Sequence, residues 1–276
     1  MKKLLVPTDF SECSKYAVDL AIEIAKSKNS EIHFLHVVSV PIDWVKLVDE
    51  RARLYADVNK KVSSVHQHLD GLLAQADKYG IKAAKYLGYD DSFNSVIDHI
   101  NEHNIDLVVM GSHGSKGVSE MFMGTNAQRI ARISKAPVLI VKSPMSGLDV
   151  KNILFASSYD EELIPAFKNV LSFANLIDAK INMVFVNTPY NFTDSETIDN
   201  KMEVYRQVEP EMINSANVCN CYNIDEGLIK FCTRNHCDLI VMITHGRTGF
   251  SRIFNGSITE TVINHSEFPV LSINAN

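Results

Sequence analysis

Short apolar runs rich in β-branched residues alternate along this 276-residue chain with longer stretches whose apolar positions recur every three to four residues. The short runs predict buried strands and the longer stretches predict amphipathic helices. Lys3 to Pro7 reads as a first strand, followed by a helix over Cys13 to Lys26 that places Tyr16, Ala17, Leu20, Ala21, Ile24 and Ala25 on one face. Strands over Glu31 to Val38, Lys82 to Leu87, Leu107 to Met110 and Val138 to Val141 follow. Helical patterns over Trp44 to Lys78, Ser92 to Glu102 and Thr125 to Ile133 separate them. Five strands interleaved with four helices predict an α/β domain: a doubly wound, parallel sheet with right-handed crossovers and helices on both faces.

The pattern then repeats. Asp106-Leu107-Val108-Val109-Met110 recurs as Asp238-Leu239-Ile240-Val241-Met242, His113-Gly114 as His245-Gly246, and Gly124-Thr125 as Gly256-Ser257. Pro137-Val138-Leu139-Ile140 recurs as Pro269-Val270-Leu271-Ser272, all at an offset of 132. The N-terminal parts align at an offset of 149, pairing Leu4-Leu5-Val6-Pro7 with Ile153-Leu154-Phe155-Ala156 and Val37 with Val186. The second copy is therefore shorter in the middle, where the first has its longest helix and turns can be lost without disturbing the sheet. The Ser143 to Gly147 stretch reads as a linker, which divides the chain into domains over 1–144 and 148–276.

Composition narrows the function classes. With 46% apolar and 22% charged residues the chain reads as globular rather than disordered. A net charge of −6 with dispersed lysines and arginines supplies no basic stripe for a phosphate backbone, so no nucleic-acid partner is expected. No apolar run reaches membrane-spanning length, and Leu4-Leu5-Val6 is too short for a signal peptide; the expected location is cytoplasmic, with no membrane association. Five cysteines form an odd set, and the spacings among Cys219, Cys221, Cys232 and Cys237 do not match Cys-x2-Cys zinc knuckles. Reduced, partly buried thiols are expected. His66 and His68 do not share a helix face and read as solvated, and Asn191-Phe192-Thr193 has no bearing on a cytoplasmic chain.

In doubly wound sheets ligands bind beyond the carboxyl ends of the strands, where strand order reverses. Two loops lie at such ends: Pro7-Thr8-Asp9, and Gly111-Ser112-His113-Gly114 leading to Gly124-Thr125-Asn126. A helix beginning Gly-Thr presents free amides and a positive dipole end to a phosphate, and the Thr125 hydroxyl could bond a phosphate oxygen or help hold Mg2+. Asp9 stands where a carboxylate could accept hydrogen bonds from a ribose, and the backbone of His36-Val37-Val38 could read an adenine edge. The competing account is local: Thr125-x2-Gln128 and Ser257-x2-Glu260 are capping-box patterns, whose hydroxyls can satisfy the helix's own amides. Other nucleotide and hydrolase signatures, including Gly-x4-Gly-Lys-Ser/Thr, Gly-x-Gly-x2-Gly and Gly-x-Ser-x-Gly, do not occur.

Gly111-x2-Gly114-x9-Gly124-Thr125 resembles the ATP-binding signature of the universal stress protein family, and Leu4 to Ser11 and His36-Val37 resemble its other landmarks. The resemblance covers the whole chain as two copies and implies a Rossmann-like, adenine nucleotide alpha hydrolase-like fold. It also implies that Pro7, Thr8 and Asp9 line the adenosine end, with Asp9 toward the ribose, and that Val37 contacts adenine through its backbone. Met110 and Gly111 then flank the sugar, and Gly114, Gly124, Thr125 and Asn126 hold the phosphates of ATP, with Mg2+. His113 belongs to the same loop; as it recurs in the second copy as His245, it is read as a polar turn residue rather than a general base. The implied activity is binding, with at most slow hydrolysis and no catalytic residue assigned.

In the second copy Ser158 replaces Asp9, Ala156 replaces Pro7 and Ile243 replaces Gly111, while Gly246 and Gly256-Ser257 remain. Ile243 is expected to crowd the sugar, so ATP binding there is expected to be weak or absent. The fifth strands, Pro137 to Lys142 and Pro269 to Asn274, should lie at sheet edges by the family's topology. The tandem arrangement is expected to pair them as an intramolecular pseudo-dimer, with further homodimerisation left open. The implied role is stress response or signalling through an unidentified protein partner, nucleotide occupancy ordering the Ser115 to Met123 loop; a nucleotide-independent scaffold is the alternative.

Overall fold

The computed structural model describes residues 1–40, 56–89, 92–112, 125–145, 149–244 and 256–275. In the first half β1 (Lys3–Pro7), β2 (Glu31–Val38), β3 (Ala83–Tyr89), β4 (Leu107–Gly111) and β5 (Val138–Val141) are joined through α1 (Glu12–Lys28), α2 (Ala56–Asp77), α3 (Ser92–His103) and α4 (Thr125–Ile133). In the second, β6 (Asn152–Ala156), β7 (Lys180–Asn187), β8 (Ile213–Asn220), β9 (Leu239–Thr244) and β10 (Val270–Asn274) are joined through α5 (Ile164–Ile177), α6 (Ser195–Arg206), α7 (Ile224–Arg234) and α8 (Gly256–His265). The strands match the hydrophobic pattern closely, β3 running two residues beyond its expected end. The described part of α2 has 22 residues and its counterpart α6 has 12, so the shortening lies where the alignment puts it.

One ten-stranded sheet, ordered β3-β2-β1-β4-β5-β10-β9-β6-β7-β8, contains all of these strands. Pairing is parallel within each half, and β5 meets β10 antiparallel, Leu139 opposite Leu271. The two apolar strands that would have been edges thus cover each other. Alternation sends Leu4 and Val6 to one face and Leu5 to the other. The first face is covered by α1, α2, α5 and α6, the second by α3, α4, α7 and α8.

Local chemistry is duplicated with the strands. The six non-glycine residues with positive φ among those described form three pairs at equivalent positions: Phe10 with Tyr159, Asn29 with Asp178, and Asn104 with His236. Asn29 and Asp178 end α1 and α5 in the left-handed conformation that short polar side chains tolerate. Asp106 accepts the amides of Lys2 and Lys3, and Asp238 those of Lys151 and Asn152.

Across the seam the helix ends are tied. Lys142 Nζ donates to the carbonyls of Asn264 (2.9 Å) and Ser266 (2.7 Å), at the C-terminus of α8. Its counterpart Asn274 donates to Arg132 O in α4 (3.2 Å), and Ser272 Oγ to Ala131 O (2.7 Å). Gln128 and Glu260, the polar members of the two capping-box patterns, reach across to Asn264 (3.1 Å) and Arg132 (3.5 Å).

Because the halves share one sheet and both apolar layers, they are expected to unfold together. Leu139→Ala, at a fully buried position opposite Leu271, should cost about 2–5 kcal/mol and leave a single transition in urea. Two separated transitions in the unmutated chain would contradict the shared core.

Candidate functional site

Strand order reverses between β1 and β4, since β2 and β3 lie on one side and β5 on the other. A cavity of about 250 Å³ opens there, walled by the ends of β1, β2 and β4 and by α3 and α4. Of the residues singled out from sequence, Pro7, Thr8, Asp9, Val37, Met110 and Gly111 all line it. His113, Gly114 and Gly124 lie outside the described residues, as does the 115–123 loop. Thr125 and Asn126 are placed only as the first residues of α4, close to the same cavity through Ala127 and Ile130.

The loop after β1 is shaped by its own side chains. Thr8 accepts from the Phe10 amide (3.0 Å) and its hydroxyl meets Ser14 Oγ (3.1 Å), so it builds the turn that aims its neighbours. Asp9 accepts from the Ser11 amide through Oδ1 (3.0 Å) and remains exposed at the mouth. Partial burial pushes the Asp9 pKa up, but the Ser11 side chain and amide outweigh it and hold the carboxylate below its ordinary range. One oxygen is therefore engaged in the turn, and the other is presented as an ionised acceptor.

The last rung between β1 and β2 is the bond from Thr8 N to Leu35 O (2.9 Å). Peptide groups two residues apart face the same neighbouring strand, so the N–H and C=O of Val37 face the space beyond the end of β1. One donor and one acceptor on backbone that lines the cavity make a template for a heterocycle edge. His36 is held beside it by Nδ1 against Thr8 O (2.7 Å) and by stacking on Phe10 (4.7 Å between centroids). Burial is the main cause of its lowered pKa, so the ring is neutral at physiological pH.

Gly111 lines the cavity and also has a packing reason. A Cβ there would overlap the main-chain carbonyl of Cys13 and come within 2.7 Å of Ser14 N. The glycine therefore admits the first turn of α1 against β4. In the second half, where Ile243 is 3% exposed, the helix start differs: Glu161–Leu163 form a 3-10 turn and α5 begins only at Ile164.

Ser112 and the His36 ring also belong to the cavity, and no side-chain role was assigned to either from sequence. Ser112 lines it and is 3% exposed, yet its hydroxyl finds no hydrogen-bond partner among the described residues. A buried hydroxyl without a partner costs on the order of 1–3 kcal/mol, and a bound polar group would relieve it. Its counterpart Thr244 is bonded to Ala131 O (3.5 Å) and Ile273 O (3.4 Å). Ser112 carried no distinguishing signal, because burial is a property of the folded chain; His36 sat beside Val37 and its signal was only position.

The equivalent loop of the second half is closed. Ser158 is 1% exposed and donates to Asp160 (2.7 Å), whose other oxygen binds Lys201 of α6 (2.6 Å). Tyr159, where the first half has Phe10, is also 1% exposed and bonds Phe155 O (2.9 Å), while Tyr205 OH donates to Asp160 O (2.6 Å). α6 thus packs onto the loop that in the first half presents Asp9.

Among the described residues, no helix is long and apolar enough to cross a membrane. The cysteines are partly or fully buried, and no group of them is placed to share a metal ion among those residues.

Comparison with known proteins gives a consistent answer. The model of the universal stress protein family matches residues 1–142 and 222–274. A universal stress protein of Methanocaldococcus jannaschii is 30% identical over 52% of this chain and 83% of its own length. One from Synechocystis sp. is 20% identical over 99% of both chains, a tandem match throughout. The crystal structure of a universal stress protein from Archaeoglobus fulgidus superimposes with a TM-score of 0.78 at 18% identity, covering 99% of this chain and 98% of that one.

Gly111→Ala is expected to destabilise the protein by about 1–3 kcal/mol or more without any ligand, as read by urea denaturation. Unchanged stability combined with loss of ligand affinity would place the glycine's role at the ligand after all.

Proposed function

The chain belongs to the universal stress protein family, and we propose that its first repeat is an adenine-nucleotide sensor that binds ATP with Mg2+, working in the cytoplasm in stress response or signalling. The repeats are taken as 1–144 and 148–276, with the second serving as a structural partner that binds no nucleotide. The observation that carries the reading is the contrast between two equivalent crevices: one presents an ionised Asp9 oxygen and the unpartnered Ser112 hydroxyl beside the Val37 peptide groups, and in the other Ser158 is buried and bonded to Asp160 and Thr244 is bonded to main-chain carbonyls.

Each open group has a task in that reading. The free oxygen of Asp9 accepts from ribose hydroxyls. The Val37 N–H donates to adenine N1 and its C=O accepts from the exocyclic amine; guanine presents the reverse order, so the edge selects adenine. Ser112 gains a partner in the bound polar groups. From the sequence motif, the amides at Gly114, Gly124, Thr125 and Asn126 and the positive end of α4 would hold the phosphates, and the Thr125 hydroxyl would assist the metal ion. Mg2+ supplies charge neutralisation between phosphate oxygens when bound. His113 stays a turn residue in this account, and no residue is assigned to hydrolysis. Occupancy would then change the surface formed by the phosphate loop, which a protein partner reads.

Calorimetric titration should give MgATP binding at one site per chain, with MgGTP markedly weaker. Asp9→Ala should weaken MgATP by roughly 10- to 100-fold, as expected for lost hydrogen bonds to a charged acceptor. No binding to the full chain would leave a nucleotide-independent scaffold as the function, and stoichiometric phosphate release on repeated turnover would instead make it an ATPase.

A further inference from the structure

One turn of α3 behind the nucleotide crevice, three histidines converge where the proposed function makes no use of them. His99 and His103 are four residues apart and so share a face of α3, with ring centroids 4.2 Å apart. His33 projects from β2 toward them, its Nδ1 2.9 Å from His99 Nε2. One nitrogen from each of the three rings can be chosen so that all lie within 4.8 Å of one another, and His33 and His99 are buried. Metal–nitrogen bonds of ~2.0–2.1 Å in a tetrahedral site put ligand atoms about 3.3 Å apart, which small rotations about the side-chain bonds would reach.

We propose that His33, His99 and His103 form a site for a borderline divalent transition metal such as Zn2+, with a fourth position left for water or an exogenous ligand. Three imidazoles suit that class of ion, whereas Mg2+ and Ca2+ prefer oxygen.

The surroundings are those of a metal-binding histidine set. If His33 ligates through Nδ1, its Nε2 faces the Glu31 carboxylate at 3.6 Å, the outer-shell arrangement that orients a ligating ring. The Tyr86 ring packs on all three imidazoles, with centroid distances of 4.7, 4.4 and 5.0 Å, and limits their rotation. Lys3 has its ammonium on the His103 carbonyl (2.9 Å). Burial, reinforced for His99 by the neighbouring histidines and Lys3, pushes its pKa down to about 3 and that of His33 below its ordinary value. Both rings are then neutral at physiological pH, the form that coordinates.

The fold does not demand histidines here. The corresponding positions of the second repeat are Asn182, Phe231 and Asn235. There Asn182 accepts from Asn214 and Ser215, both at 2.8 Å. Asn182 is buried and Asn235 is exposed, so the second repeat forms the same strand and helix without imidazoles at these positions. Bound metal would pin the C-terminal half of α3 to β2, and α3 also carries Val96 in the wall of the crevice.

The test uses the full chain without nucleotide, so its result is independent of the ATP reading. Competition against a chromophoric chelator should show one tightly held Zn2+ per chain, and Zn2+ should raise the thermal midpoint. Co2+ in its place should give d–d absorption without the near-ultraviolet band of thiolate ligation. His103→Asn, which copies the second repeat at the least buried of the three, should weaken Zn2+ by at least about 100-fold, more than loss of an outer-shell partner does. Circular dichroism checks that the variant is folded, and His99→Asn provides a second variant with the same expected loss. His66→Gln, on the exposed face of α2, should leave binding unchanged. The proposal is overturned by no stoichiometric binding to the full chain, by undiminished binding in folded His99→Asn or His103→Asn, or by a Co2+ spectrum with thiolate charge transfer.

Discussion

The pairing of β5 with β10 is the constraint on which the molecule rests. Each half, taken alone, ends its sheet in a short strand, β5 wholly apolar and β10 apolar but for Ser272 and Asn274, and an exposed strand of that kind is a template for unwanted association. Joining the two edges antiparallel removes both at once and continues the apolar layers from one half to the other. It also brings α4 and α8 side by side, where Lys142 and Asn274 bind the terminal carbonyls of the opposite helix. A sheet held at its centre in this way leaves each repeat's carboxyl-end crevice free of duties to the other.

Freed of that duty, the two crevices have diverged by local means. In the first half Gly111 lets α1 begin directly at Glu12, and the Thr8–Ser14 contact sets a turn that leaves Asp9 at the surface. In the second, a 3-10 turn precedes the helix start, Tyr159 turns inward, and Asp160 is tied to α6. The backbone conformation is nevertheless the same, since Phe10 and Tyr159 share a positive φ. What differs is which side chains the loop retains for itself and which it offers outward.

The histidine cluster follows the same division. Only the first repeat carries imidazoles on its second strand and third helix; the second has Asn182, Phe231 and Asn235 at those positions. His99-x3-His103 was visible as a spacing that shares a helix face, whereas His33, 66 residues earlier, carried no mark of belonging with them. His66 and His68, read as solvated, are both exposed on α2; nearness in sequence is a poor guide to nearness in a wound sheet. His68 in fact stacks on Phe10 at 4.9 Å, although it remains exposed.

Periodicity, repeat offsets and the glycine motif were enough to derive two doubly wound halves, the family, and the loops in which a ligand would sit, because strand alternation and turn chemistry are local and leave their imprint on consecutive residues. Pro7, Asp9 and Val37 were legible from their places at strand ends, and Met110 came only with the family resemblance. The packing reason for Gly111, the unpartnered hydroxyl of Ser112, the sealing of the second crevice by Lys201 and Tyr205, and the meeting of His33 with α3 were decided only by tertiary structure. Each depends on the distance between segments remote in the chain and on the exclusion of water from the space between them, and neither quantity is written in any window of sequence.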